Sequence, residues 1–344
     1  MQFNSLTIQT NSGIGLNATT GGTINVTNNT GTINNTTQAA SAIVANAVAL
    51  NANFASINSS GGTNGVSLTN VTGTSNFGTG ALSGASGGTF LINGQNGTVT
   101  YNGTITQATA GQRVVDIQNK TGGTVTLGGA ISSTGGTGTG IILNSNTGAT
   151  INLTGGIALT TNANAAFTAT GGGTINATQN NTTIVNTLTT TTATALNVAG
   201  TTIGASNLTF RSITAGTAGS GPTNGIILNN TGASGGLVVV GNGSAGTGGT
   251  IQKTGGSGIS LTSVGGSASF TDVNISNTAG DGITAATVKN FSCSLCNITN
   301  PGTSANKDGL RLTELSGTAS LTNVTVTGAT TDGANLTNTS ATLT

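Results

Sequence analysis

One short aliphatic phrase returns along this chain at intervals that only a stacked coil uses. Gly140-Ile141-Ile142-Leu143-Asn144 recurs almost letter for letter as Gly225-Ile226-Ile227-Leu228-Asn229. Looser copies stand at Gly13-Ile14-Gly15-Leu16, Gly65-Val66-Ser67-Leu68, Gly258-Ile259-Ser260-Leu261 and Gly309-Leu310-Arg311-Leu312, each followed by polar turn residues. A second phrase keeps step with the first. Thr98-Val99-Thr100-Tyr101, Thr124-Val125-Thr126-Leu127, Thr150-Ile151-Asn152-Leu153 and Thr174-Ile175-Asn176-Ala177 are separated by 26, 26 and 24 residues. Self-similarity at such a period marks a solenoid, in which one repeat cannot bury its apolar face alone and stacking neighbours complete it.

The aliphatic phrase places coil starts near Gly13, Ala42, Gly65, Gly88, Arg113, Gly140, Ala165, Ala193, Gly225, Gly258, Gly282, Gly309 and Gly333. Within the coil opened by Gly140, alternation puts Ile141 and Leu143 inside, then Ile151 and Leu153, then Ile157 and Leu159. Three inward pairs make three faces. The expected fold is all-β, a right-handed parallel β-helix with three sides and about 13 coils of roughly 23–33 residues, on the order of 60 Å long at the strand spacing. Val99, Val125, Ile151 and Ile175 should form an inner column, and Thr100, Thr126, Asn152 and Asn176 an outer one. Glycines such as Gly122, Gly123, Gly135, Gly136, Gly155 and Gly156 suit corners with positive φ. No composition break divides the chain, so residues 1–344 read as one continuous solenoid. The two coils that run long predict protruding loops at 215–224, with Pro222, and at 241–249.

Composition closes off several functions. Charged residues are 4% of the chain, against about a quarter in ordinary proteins, and none occurs from Met1 to Gln112. With a net charge of +1 and no histidine there is no basic footprint for a phosphate backbone, and nucleic acid is not an expected partner. Abundant Val, Ile and Thr alternating with polar residues argue for strands, not disorder. No apolar run reaches the roughly 18 residues of a membrane span, and residues 1–12 lack the pattern of a signal peptide, so an export signal would lie outside this segment.

Chemistry, if present, belongs beyond Lys253, where five of the six acidic residues and both cysteines lie. Asp281-Gly282, Asp308-Gly309 and Asp332-Gly333 hold one position in three successive coils. Stacking would bring their carboxylates to about 5 Å from one another, near the separation of a retaining glycosidase pair or of hard-cation ligands. Asn64 and Asn224 hold that place in earlier coils, which points instead to corner side chains bonding nearby backbone amides. Lys289, Lys307 and Arg311 make a small basic patch beside the column. Cys293 and Cys296 read either as buried free thiols or as a local disulfide that would need a bend, because i and i+3 face opposite ways on a flat strand. Zinc would need four ligands, and the chain has neither His nor a third Cys. No cofactor is expected. Without histidine a Ser-His pair is also impossible.

These phrases resemble right-handed parallel β-helix repeats. The charge-poor Gly/Thr/Asn style is similar to the exported surface proteins of bacteria: autotransporter passengers, filamentous-haemagglutinin-like exoproteins and giant repeat adhesins. That resemblance implies a structural, extracellular solenoid at the cell surface, a filament subunit or the shaft of an adhesin. Its expected partner is itself, head to tail through uncapped coils or as neighbouring repeats of a longer chain, with surface polysaccharide as a further partner. The reading from another class is a carbohydrate-active or polysaccharide-binding β-helix built on Asp281, Asp308 and Asp332. An ice-binding solenoid is a third, but its Thr row breaks where Thr100 and Thr126 give way to Asn152 and Asn176.

Overall fold

A computed structural model describes residues 1–10, 12–36, 40–136 and 139–339, and all regular structure among them is β-strand. The fold is the expected parallel β-helix, with about 13 turns. The chain separates into two compact units, Met1–Thr160 with Gly171–Thr174, and Thr161–Thr170 with Ile175–Thr344. Both follow one plan. In the first unit a turn runs through strands Phe90–Asn93, Thr98–Tyr101 and Thr104–Gln107; in the second, through Ile259–Val264, Ala268–Thr271 and Val273–Thr278. These three strands lie on a first, second and third face, each pairing with the corresponding strand of the next turn.

The pairing is in register, like on like. Val99 faces Val125 and Val125 faces Ile151, while Thr100 faces Thr126 and Thr126 faces Asn152. Alternation sorts the two columns: Val99, Val125 and Ile151 are buried, whereas Thr100, Thr126 and Asn152 are half-exposed. Ile141, Leu143, Leu153, Ile157 and Leu159 are buried as well. Each aliphatic removed from water contributes about 1.5–3 kcal/mol. Aromatic side chains fill the wider parts of the interior, Phe90 against Tyr101 at 6.2 Å and Phe270 against Phe291 at 6.4 Å between ring centroids. Asn176 departs from the outer column. It is buried, and its amide oxygen accepts the backbone N–H of Ser206, because the long strand Thr202–Phe210 passes beside it.

The corners rest on something the glycine count does not show. Twenty non-glycine residues among those described have positive φ, and they recur in columns. Asn70, Asn119 and Ser145 follow first-face strands of the first unit; in the second, Asn230 and Glu314 follow such strands, while Ser263 and Thr287 stand one residue before a strand's end. Asp272, Leu295 and Asn323 follow second-face strands, Lys253 follows a third-face strand, and Asn277 and Asn300 lie within third-face strands. One residue in the left-handed region per corner turns the chain sharply, and Asn tolerates it best among non-glycines. The amides then stack, with Asn119 Nδ2 donating to Asn93 Oδ1 at 2.9 Å and Asn300 Nδ2 to Asn277 Oδ1 at 3.3 Å. Of the glycines expected at corners, Gly123 and Gly156 have positive φ. Gly155 serves close approach instead, since a Cβ there would stand 2.3 Å from the carbonyl oxygens of Gly128 and Gly129.

The register also moves coil starts: Leu196 pairs with Ile226, so Ala195, not the expected Ala193, holds the place of Gly225, and the first coil shifts likewise. Leu16, and not Ile14, pairs with Ile43, so the first phrase begins at Gly15, two residues beyond the expected Gly13. Gly13 stands in open space, while a Cβ on Gly15 would be 2.4 Å from Ile33 Cγ2 and 2.6 Å from the Ala42 carbonyl oxygen. Coil length varies as expected: Ile43 pairs with Val66, 23 residues on, and Ile226 with Ile259, 33 residues on. The excess appears after Ser212–Thr214 and between Leu237–Val239 and Gly249–Gln252. A further excursion at 178–185 escaped the sequence, and Asn181 Nδ2 ties it to the Gly241 carbonyl at 3.2 Å.

Candidate functional site

The Asp column stands on the corner that opens the first face in the last three turns. Asp281 and Asp308 are buried, and Asp332 is exposed. Asp281 Oδ1 accepts the backbone N–H of Asp308 at 2.8 Å, and Asp308 Oδ1 accepts that of Asp332 at 3.2 Å. The second oxygens are occupied too: Asp281 Oδ2 by the Thr284 hydroxyl at 3.0 Å, Asp308 Oδ2 by Arg311 Nε at 3.2 Å. Each of the two buried carboxylates therefore braces the turn above it. Asn64 and Asn224 hold the same corner by donating to the carbonyls of Gly88 and Ser257, both at 2.7 Å. A corner side chain here must bond the next turn; Asp accepts from its amide and Asn donates to its carbonyl.

A stability effect follows. Asp308→Ala removes the acceptor of a backbone amide and strands Arg311 beside a buried position, so it should lower the unfolding free energy by about 2 kcal/mol, with Asp308→Asn costing less. Urea denaturation of the three proteins measures this.

The basic residues do not act as a patch. Arg311 pairs with Asp308, while Lys289 is exposed and Lys307 half-exposed, and among the described residues neither is in an ion pair. Cys293 and Cys296 are joined by a disulfide and both are buried. The bend such a bond needs is Leu295, at φ 55°, which turns the chain from the strand Phe291–Ser294 into Asn297–Pro301. The crosslink thus pins one corner between the second and third faces. Among the described residues no three His, Cys, Asp or Glu side chains are grouped to hold a metal.

No family model, curated protein or solved structure matches the chain.

Three charged groups escaped the sequence reading. Asp116 lies on the outward side of the first face, accepting from Arg113 and, at 2.6 Å, from Gln118. Shallow grooves of about 230 and 180 Å³ flank it, sharing Leu91. Lys120 is fully buried; its ammonium donates to the Gly97 carbonyl at 2.6 Å, and burial pulls its pKa down to about 8. It occupies the inward corner position that Val48 and Val71 hold in other turns, each one residue past a left-handed corner. Asp272, in the left-handed region, lies wholly buried beneath the loop 240–248. Lys120 and Asp272 read locally as ordinary polar turn residues and Asp116 as an outward strand residue, so nothing local marks them.

Proposed function

We propose that this chain is a structural β-solenoid of an exported surface protein, a filament subunit or adhesin shaft that works outside the cell. The observation that carries this reading is the Asp column, the best-placed set of carboxylates for chemistry, whose two buried members have both oxygens engaged in holding the coil. Such an arrangement supports a load-bearing role and leaves a substrate nothing to displace without opening a turn. The buried Cys293–Cys296 disulfide supports an oxidising compartment. A surface of Thr and Asn, almost free of charge, supports close packing against neighbours. Because successive turns pair strand on parallel strand, one copy can continue the stack of another, and axial self-association is the proposed mode of assembly.

Electron microscopy and sedimentation of the purified chain across a concentration series test the proposal. The expected result is rods that lengthen with concentration, by uniform increments of one chain. Release of sugar from neutral or acidic polysaccharides by wild type, abolished in Asp308→Asn that remains folded, would establish the carbohydrate-active alternative in its place.

A further inference from the structure

Asp272 is a buried carboxylate with no cation beside it among the described residues. Its side chain has no exposure to solvent, and ion pairs among the described residues are limited to Arg113–Asp116 and Arg311–Asp308. One oxygen, Oδ1, is buried without a hydrogen-bond partner. The other, Oδ2, accepts the backbone N–H of Gly243 at 2.9 Å and lies 3.3 Å from the Thr247 hydroxyl. That hydroxyl has a single proton, and the Ser244 carbonyl at 2.6 Å is the nearer acceptor; its oxygen also accepts the Asn242 N–H at 2.9 Å. The Thr247 proton is thus shared between two acceptors, the Ser244 carbonyl being the nearer, and Asp272 Oδ2 gains only a long, weak bond from it. A buried carboxylate with one short donor, one long one and a bare Oδ1 suits a positive partner, since burying an unpaired ion costs several kcal/mol.

The loop laid over the carboxylate is rich in glycine and lacks side-chain bulk. The loop reads Gly241-Asn242-Gly243-Ser244-Ala245-Gly246-Thr247-Gly248, and Gly241 fits against the carboxylate only because it has no Cβ, which would stand 2.6 Å from Oδ2. Carboxylate, hydroxyl and main-chain carbonyl are the ligands of a hard divalent cation, and not of zinc or copper. We infer that Asp272 and the loop 240–248 form a calcium site, in which Asp272 Oδ1 and Thr247 Oγ1 bind the ion and loop carbonyls complete its shell. A single carboxylate sets the affinity in the weak range of extracellular modules, about 10⁻⁴–10⁻³ M. This site is independent of the structural role proposed above, because a shaft or an enzyme could equally carry it.

Chelator-treated full-length chain, titrated with calcium chloride in a calorimeter and by equilibrium dialysis, tests the inference. One ion per chain is expected, with a rise in the thermal midpoint, weaker uptake of magnesium, and loss of binding in Asp272→Asn. The exposed-face variant Asp116→Asn should bind as wild type does. Should Asp272→Asn not fold, limited proteolysis of wild type decides, because calcium should slow cleavage within 240–248 by severalfold and leave other sites unchanged. No uptake up to about 10 mM calcium, uptake that persists in folded Asp272→Asn, or a loop cut equally fast with and without the ion would each overturn it.

Discussion

Gly282→Val should destabilise the second unit by about 3 kcal/mol or more, a larger loss than any surface change. Gly282 closes the corner between the third and first faces. A Cβ there would lie 2.5 Å from the carbonyl oxygen of Gly309, in the turn above, and 2.6 Å from Ile298 Cγ2, in the same turn. The obstruction recurs through the column. Gly225 meets Ile251 Cγ2 at 2.4 Å, Gly258 meets Ile275 Cγ2 at 2.7 Å and Gly309 meets Val326 Cγ1 at 2.3 Å. Each glycine makes room for the β-branched side chain that fills its own third face, so valine would have to push a backbone carbonyl or an interior residue. Gly255→Ala is the control, for nothing lies within 4 Å of its Cβ, and it should fall within about 0.5 kcal/mol of wild type. Chemical denaturation of both variants checks the contrast; equal stabilities would mean that the turns are not stacked this closely.

Lys120 gives the largest expected dependence on pH. Its folded pKa of about 8 lies below the ordinary value of 10.5 because burial disfavours the ammonium. Below pH 8 it is protonated in both states, and folding bears the whole desolvation cost, about 3 kcal/mol from the displacement. Between 8 and 10.5 the unfolded chain holds the extra proton, so stability rises with pH across that window. Tyr101 sets the upper limit. Burial raises the pKa of its phenol, so above pH 10 the unfolded chain ionises first and stability falls. A maximum near pH 10 is therefore expected. Lys120→Met supplies the apolar corner that Val48 and Val71 provide elsewhere, at the cost of the bond to the Gly97 carbonyl. It should gain about 1–2 kcal/mol at pH 7 and lose the rise between 8 and 10.5. Thermal midpoints measured from pH 7 to 11 decide, and a variant less stable than wild type at pH 7 with the same pH profile would contradict the assignment.

The interior was legible because inward residues repeat with period two inside a longer period, so Val99, Val125 and Ile151 declare themselves without coordinates. The corners were less so. A left-handed residue is announced when it is glycine, but Leu295 and Glu314 take that conformation because stacked turns impose it, and nothing local marks them. The same cause hid the Cys293–Cys296 bend. Gly13 and Gly15 both preceded an aliphatic residue, and only the third-face Ile33 pressing on Gly15 chooses between them. The Asp column was visible as a column, and Asn64 and Asn224 already signalled its bracing role. Lys120 and Asp272 were not, because their burial depends on the turns and loop laid over them.

The most direct test of in-register parallel stacking is cysteine crosslinking on the outer side of the second face. Thr100 lies opposite Thr126, 26 residues along the chain, at the strand spacing of about 4.8 Å, within disulfide reach. Thr124 is on the same side but two residues out of register. Mild oxidation of Thr100→Cys/Thr126→Cys should join the pair quickly in the folded monomer, with the native Cys293–Cys296 bond intact by peptide mass. Thr100→Cys/Thr124→Cys should lag far behind. Rapid closure of the second pair and not the first would contradict the stacking on which the whole account stands.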